Sequence, residues 1–235
     1  MTVEVVEGSI SHVIISVPRK RNALSLAVLE ALTEKITRLS SVETVRAIVI
    51  SGAEGAFSSG ADLKEQVTPQ QSVSAVSALY EAIRQSPKPI IARVEGFCFG
   101  LAVGVAAACD LVVVAENTRF ALPEPRFSQA PTLAAITIMQ RVSRGAAARI
   151  MLASDDFDGR EALDMGLADL VAPQDRLEAV ISELIDSILL GDPTALAVCK
   201  RLCRVLPGLG PAEVLQFAGD LTTRMSESSR NEEAK

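Results

Sequence analysis

The sequence predicts an α/β chain whose last part is all helical, and three observations carry that prediction. Short β-branched runs bounded by turn residues recur through the first half. Segments with the apolar spacing of an amphipathic helix stand between them, and from Arg176 onward only helical signals remain. A chain of 235 residues, 49% hydrophobic and 22% charged, can bury a sizeable core, so disorder is excluded. With no low-complexity linker dividing it, we expect one main domain over residues 1–191 and a helical region over 192–235.

The strand-like runs are Ile10 to Val17, Val45 to Ser51, Pro89 to Val94 and Leu111 to Ala115. Between the first two, Leu29, Leu32, Ile36 and Leu39 line one face of a helix. Leu177, Ile181, Leu184 and Ile188 form a later stripe, with Asp175 expected as N-cap and Gly191 as the stop. Asp192-Pro193 then opens another helix, with proline at its tolerated first position.

Composition removes several function classes. A net charge of -6, no Trp, one Tyr and seven Phe provide neither the basic field nor the stacking platforms of a nucleic-acid binder. The acidic start Met1-Thr2-Val3-Glu4 lacks the order of a secretory signal, and the longest apolar stretch, Phe97 to Cys109, falls short of the about 20 residues a membrane span needs. A cytoplasmic protein without membrane contact is therefore expected. Cys98, Cys109, Cys199 and Cys203 show no CxxC spacing and read as reduced, packed thiols. The single histidine, His12, lies in a strand-like alternation that turns it to solvent, with no partner for a metal site or a Ser-His-Asp triad. No metal is expected, and acid–base work falls to carboxylates, Lys, Tyr or Cys.

Two glycine-centred segments follow strands. Ala56-Phe57-Ser58-Ser59-Gly60-Ala61-Asp62-Leu63 and Glu95-Gly96-Phe97-Cys98-Phe99-Gly100-Leu101 both read as strand-to-helix transitions that expose backbone N–H groups. On spacing alone they fit ordinary turns first, with a pair of donors converging on one oxygen as the other reading. Glu124, in Phe120-Ala121-Leu122-Pro123-Glu124-Pro125-Arg126-Phe127, is enclosed by apolar and proline neighbours. Such surroundings raise a carboxyl pKa toward the range of proton transfer. A turn cap or a surface pair with Arg126 accounts for Glu124 as well.

Together these segments resemble the enoyl-CoA hydratase/isomerase, or crotonase, family over nearly the whole chain. Arg21-Asn22-Ala23-Leu24 is similar to its R-x-N-A-L segment, Phe57 to Leu63 to its F-x-x-G-A-D-[IL] loop, and Leu122-Pro123-Glu124 to its P-E motif. Val94-Glu95-Gly96 through Cys109-Asp110 looks like its second oxyanion segment, and Glu161 to Ala168 like its E-A-x-x-x-G-L-[AV]. The resemblance implies a superhelix of β-β-α turns with helices that pack in a trimer, often doubled to a hexamer. It implies an acyl thioester whose enolate-like oxygen is held by the N–H groups of Ser59 and Leu101. Gly60, Ala61, Asp62, Leu63, Gly100 and Ala23 would surround the substrate. Arg19, Lys20 and Arg21, with Lys64 second, are the basic residues available to coenzyme A phosphates.

This chain departs from the family pattern in two places. Leu101 stands where glycine is usual, and Gly104 stands where hydratases carry the first of two glutamates. The second aligns with Glu124. A lone glutamate suits proton removal and return, as in double-bond isomerisation or dehydration, better than water addition. Three functions are open: such an enzyme, a hydratase that recruits Asp62, Glu65 or Ser128 as second acid–base group, and a non-catalytic acyl-thioester-binding protein. Gly104, placed in the first turns of a helix, is expected to accept a glutamate and with it to gain water addition. No cofactor is implied beyond the coenzyme A, or the phosphopantetheine of a carrier protein, that forms part of the substrate. The region after Met225-Ser226-Glu227-Ser228-Ser229-Arg230 lacks the basic and aromatic segment of many relatives, which keeps the carrier-protein thioester open. The Leu177–Ile188 stripe and Leu215, Phe217 and Leu221 are expected to find partners in a homotrimer or hexamer.

Overall fold

Strands β1 (Val3–Val6) and β2 (Ile10–Ile15) open the chain as an antiparallel pair. β2 pairs in parallel with β3 (Ala47–Gly52), and β4 (Ile90–Val94), β6 (Leu111–Ala115) and β8 (Leu170–Ala172) extend the sheet in the order β1-β2-β3-β4-β6-β8. The computed structural model describes residues 3–233, with side chains as far as residue 223, so the side chains of Met225 to Arg230 lie outside the described residues.

The central strands carry runs of β-branched residues, Ile48 to Ile50, Ile90-Ile91 and Val112 to Val114, because the sheet is covered on both faces. One face carries α1 (Leu26–Ser41), α2 (Pro69–Gln85) and α3 (Leu101–Ala108), whose buried residues join Val13, Ile48, Ile50 and Val112 in the main core. The other face takes α7 (Leu177–Leu189), with Leu177, Ile181 and Ile185 packed on Val49, Ile91, Val113 and Ala115. The expectation that the α7 stripe needs another subunit is thus corrected for Leu177 and Ile181, which the sheet of its own chain buries; Leu184 and Ile188 pack on the same sheet and stay partly exposed. Asp175 does not cap this helix; Arg176 is the N-cap residue and supplies no side-chain bond.

A second, smaller stack runs beside the main sheet. Ser58 pairs with Cys98 of β5 (Phe97–Phe99), and β5 pairs in parallel with β7 (Arg119–Ala121). The chain therefore winds in turns, from the main sheet to the small stack and then to a helix: β3, Ser58, α2; β4, β5, α3; β6, β7, α4 (Thr132–Arg141). This is the β-β-α winding that the sequence led us to expect, and it stacks the loops after Ser58, β5 and β7 at one edge.

Past α5 (Arg144–Ala153) and α6 (Gly159–Asp164), the chain reaches α7, then α8 (Pro193–Val205) and α9 (Pro211–Glu233). Asp192 caps α8 by accepting the Ala195 N–H. Lys200 anchors that helix: its buried Nζ lies 2.8 Å from Asp110 Oδ2 and donates to the carbonyls of Ile83 and Lys88, while Arg204 grips Asp110 Oδ1 at 2.7 Å. Cys199 and Cys203 on the same helix are exposed rather than packed, whereas Cys98 and Cys109 are buried.

Candidate active site

The Gly60 loop is held from both sides. The Leu24 N–H donates to Gly60 O at 2.8 Å and the Asp62 N–H to Leu24 O at 3.1 Å, a parallel bridge centred on Ala61. Successive amides of an extended segment point to opposite sides. Ala61 therefore turns its own N–H away from Leu24, and that N–H meets no acceptor among the described residues. The Ser59 N–H is already engaged, donating to Arg21 O at 3.0 Å. The free amide expected at Ser59 thus lies two residues further along, at Ala61.

Leu101 is the first residue of α3, where an amide has no partner within the helix. Its N–H also lacks an acceptor among the described residues. The two free amides flank Gly60, whose missing side chain is required: at φ +92°, a Cβ would stand 2.6 Å from Phe99 O and 3.5 Å from Leu101 N. Gly60 thereby lets the two loops close on each other.

Glu124 follows β7 at the start of a 3-10 turn over Glu124–Phe127. The turn is fastened by the Ser128 N–H on Pro125 O and the Gln129 N–H on Glu124 O. The carboxyl lies against Gly100: a Cβ there would come within 2.8 Å of Glu124 Oε1, and Gly100 itself sits at φ +53°. Glu124 Oε2 is buried with no hydrogen-bond partner among the described residues. No bond to Arg126 forms. Burial pushes the carboxyl pKa above the usual glutamate value, against a smaller downward pull from its own backbone N–H.

These groups meet at a cavity of about 310 Å³. Of the residues expected at the site, Ser59, Gly60, Ala61, Asp62, Leu63, Gly100, Leu101 and Glu124 line it, and Arg19, Lys20, Arg21 and Ala23 do not. Lys20 is drawn to the rim by Asp62, 2.6 Å away, which holds the Asp62 carboxyl below its ordinary pKa. Asp62 also accepts the Lys64 N–H, and Glu65 accepts the Leu26 N–H at 2.8 Å, opening α1. Both carboxylates proposed as substitutes for the first glutamate are therefore tied into the loop's own architecture, and Ser128 lies outside the lining.

Gly104 departs from expectation. It is buried in α3 against α4 and does not face the cavity. A Cβ would meet Ala134 Cα at 2.6 Å and touch Tyr80 Oη, so no glutamate fits without parting the helices. Sequence reasoning missed the apolar wall of the cavity, formed by Leu26 and Leu29 of α1, Val76 of α2 and Leu133 of α4. Nothing in a helical stripe distinguishes residues that face a cavity from those that face a core.

Comparison with known proteins agrees with this architecture. A family model described as enoyl-CoA hydratase/isomerase matches residues 6–228. The chain belongs to that family. It is 31% identical, over 92% of its length and 88% of the relative's, to a provisionally named enoyl-CoA hydratase of Thermus thermophilus. It is 32% identical over 74% of its length to the mitochondrial enoyl-CoA hydratase domain-containing protein 3 of Mus musculus, of which it spans 60%. An enoyl-CoA hydratase structure from Bacillus anthracis superposes with a TM-score of 0.86 at 26% identity, covering 94% of this chain and 89% of that one. A structure from Mycobacterium smegmatis, at 24% identity, shares the fold with a TM-score of 0.90 over 95% of this chain and 90% of its own. As an enzyme, the chain falls among the lyases and isomerases of this family. Among the described residues, no helix is long and apolar enough to cross a membrane.

Proposed function

We propose that this protein shifts a double bond in an enoyl thioester, with Glu124 as the only proton carrier. The amides of Ala61 and Leu101 hold the thioester oxygen as negative charge gathers on it. Glu124, as carboxylate, takes a proton from the carbon next to the thioester of a 3-enoyl substrate. The electrons pass into the oxygen, and the protonated carboxyl returns the proton to the far end of the conjugated system. A 2-enoyl thioester results, with no net gain or loss of atoms. An environment that raises the pKa makes Glu124 a stronger base once ionised, as this step requires.

The observation that carries the reading is the state of the three carboxylates lining the cavity. Asp62 and Glu65 are held by neighbours, while Glu124 keeps a buried, unpartnered oxygen. Adding water normally divides its work between two carboxylates, and the place where a second would enter is filled by Tyr80 and Ala134. Arg19 and Arg21 stand exposed beyond the rim, available to phosphate groups of coenzyme A or a carrier's phosphopantetheine. We also place the protein in a homotrimer or hexamer. Leu215 of α9 is 77% exposed and Phe217 is half-buried, although Leu221 is covered within the chain. Light scattering across a dilution series tests this, and a stable 24.9 kDa species would exclude it.

The activity is tested by incubating the protein with 3-enoyl, 2-enoyl and 3-hydroxyacyl thioesters of coenzyme A and of a carrier protein, read by mass spectrometry. Conversion of the 3-enoyl thioester at unchanged mass is the expected result. Loss of water from the hydroxyacyl thioester, with no isomerisation, would make the enzyme a single-glutamate dehydratase. Rapid water addition to the 2-enoyl thioester would overturn the reading.

A further inference from the structure

We infer that Tyr80 backs the wall at the acyl end of the cavity and, by filling the space behind it, limits the length of acyl chain the protein takes; this rests on the acyl-thioester reading above. Ser72, Val76 and Tyr80 recur one helical turn apart on α2, so they lie on one face. The first two line the cavity. Tyr80 stands directly behind it, fixed to two of its walls: the hydroxyl donates to Leu133 O at 3.1 Å, and Leu133 and Ala134 are themselves lining residues.

The packing around Tyr80 leaves it no freedom to swing aside. Its Oη touches the space above Gly104, and α4 is pinned there by the Thr137 Oγ1 bond to Gly104 O at 2.7 Å. Burial raises the phenol pKa above its ordinary value, so the hydroxyl stays protonated and keeps donating. Its proton is committed to a backbone carbonyl and the side chain does not line the cavity, so Tyr80 is a specificity-determining residue and takes no part in proton transfer. The cavity of about 310 Å³ lies at the foot of the ~300–1,000 Å³ span of small-molecule sites. With the thioester to house as well, it suits short acyl chains. Removing the ring would join the space between Val76, Gly104, Leu133 and Ala134 to the cavity and admit further methylenes.

The test is binding of saturated butyryl-, octanoyl- and dodecanoyl-coenzyme A, which cannot react, measured by titration calorimetry on the wild type and on Tyr80→Ala, Tyr80→Leu and Tyr80→Phe. Each newly buried methylene strengthens binding about fourfold. Room for two or more should raise the affinity for dodecanoyl relative to butyryl by at least about tenfold in Tyr80→Ala. Tyr80→Leu, which keeps an apolar side chain and preserves packing better, should move the ratio in the same direction. Tyr80→Phe keeps the ring and should leave the ratio as in the wild type. Wild-type binding of butyryl-coenzyme A with an unchanged ratio in folded Tyr80→Ala or Tyr80→Leu would overturn the role of Tyr80 alone. Failure of the wild type to bind any of the three acyl chains, whether carried on coenzyme A or on a carrier protein, would overturn the acyl-thioester reading beneath it.

Discussion

Replacing Gly104 by alanine sets two effects of comparable size against each other. In the interior of a helix, alanine is favoured over glycine by about 0.8–1.0 kcal/mol. Against this, the new Cβ would lie 2.6 Å from Ala134 Cα and 3.1 Å from Ala134 Cβ. Carbon atoms rest about 3.5–4.0 Å apart, so α3 and α4 would have to separate by roughly 1 Å at this point. Ala134 Cα is backbone, which cannot rotate away as a flexible side chain can, and the new Cβ would also press on Tyr80 Oη. Separation also strains the Thr137 bond to Gly104 O at 2.7 Å and the Tyr80 bond to Leu133 O at 3.1 Å. Overpacking of this kind costs about 1–3 kcal/mol, and a weakened hydrogen bond adds about 0.5–1.5 kcal/mol. The overlap outweighs the helix propensity, leaving a net loss of about 1–3 kcal/mol. For a chain of this size each kcal/mol moves Tm by about 2–4 °C, so thermal unfolding followed by circular dichroism should show a fall of roughly 2–12 °C. Gly104→Glu adds four more heavy atoms and should fold worse still, with no gain in water addition. A Tm equal to or above the wild type in Gly104→Ala would refute the reasoning, since the helices would then have slack that the structure does not show.

Three further outcomes follow from the same geometry. Glu124→Gln keeps the shape of the side chain but cannot carry a proton; turnover of a 3-enoyl thioester should fall by about 10²–10⁴-fold with thioester affinity nearly unchanged, and a rate within a fewfold of wild type would remove Glu124 from the chemistry. The same variant has a pH signature in its stability. Because the folded state raises the Glu124 pKa, its stabilising contribution is complete below the unfolded value near 4.5 and is lost as pH rises through the folded pKa. Glu124→Gln should therefore melt above the wild type at neutral pH and converge with it in acid; a gap that widens on acidification would reverse the sign of the burial effect. Finally, Asp110→Asn leaves the buried Lys200 and its neighbour Arg204 without their counter-charge, and should cost about 3–5 kcal/mol in urea unfolding. A loss below about 1 kcal/mol would mean that α8 docks by its apolar contacts alone.

What the sequence determined by itself was local. Periods of two and of 3.6 residues are written in neighbouring side chains, so β2, β3, β4, β6 and α1 were legible to within a few residues. Gly60 and Gly100 stood out because their backbone lies at positive φ beside another chain segment, which a sequence marks with glycine. Glu124 stood out because its proline and apolar neighbours travel with it into the fold. What only the tertiary structure decided was where each group faces and what fills the space beside it. Whether Ser59 or Ala61 offers a free amide depends on which residue bonds Arg21 and which bonds Leu24, partners 36 or more positions away. Whether Gly104 leaves room for a carboxylate depends on Tyr80 and Ala134, brought in from two other helices. Whether the α7 stripe meets its own sheet or another subunit was decided by the second face of that sheet. A side chain records its own chemistry and the period of its element; the neighbours that consume or free its bonding groups arrive from distant parts of the chain, and only packing assembles them.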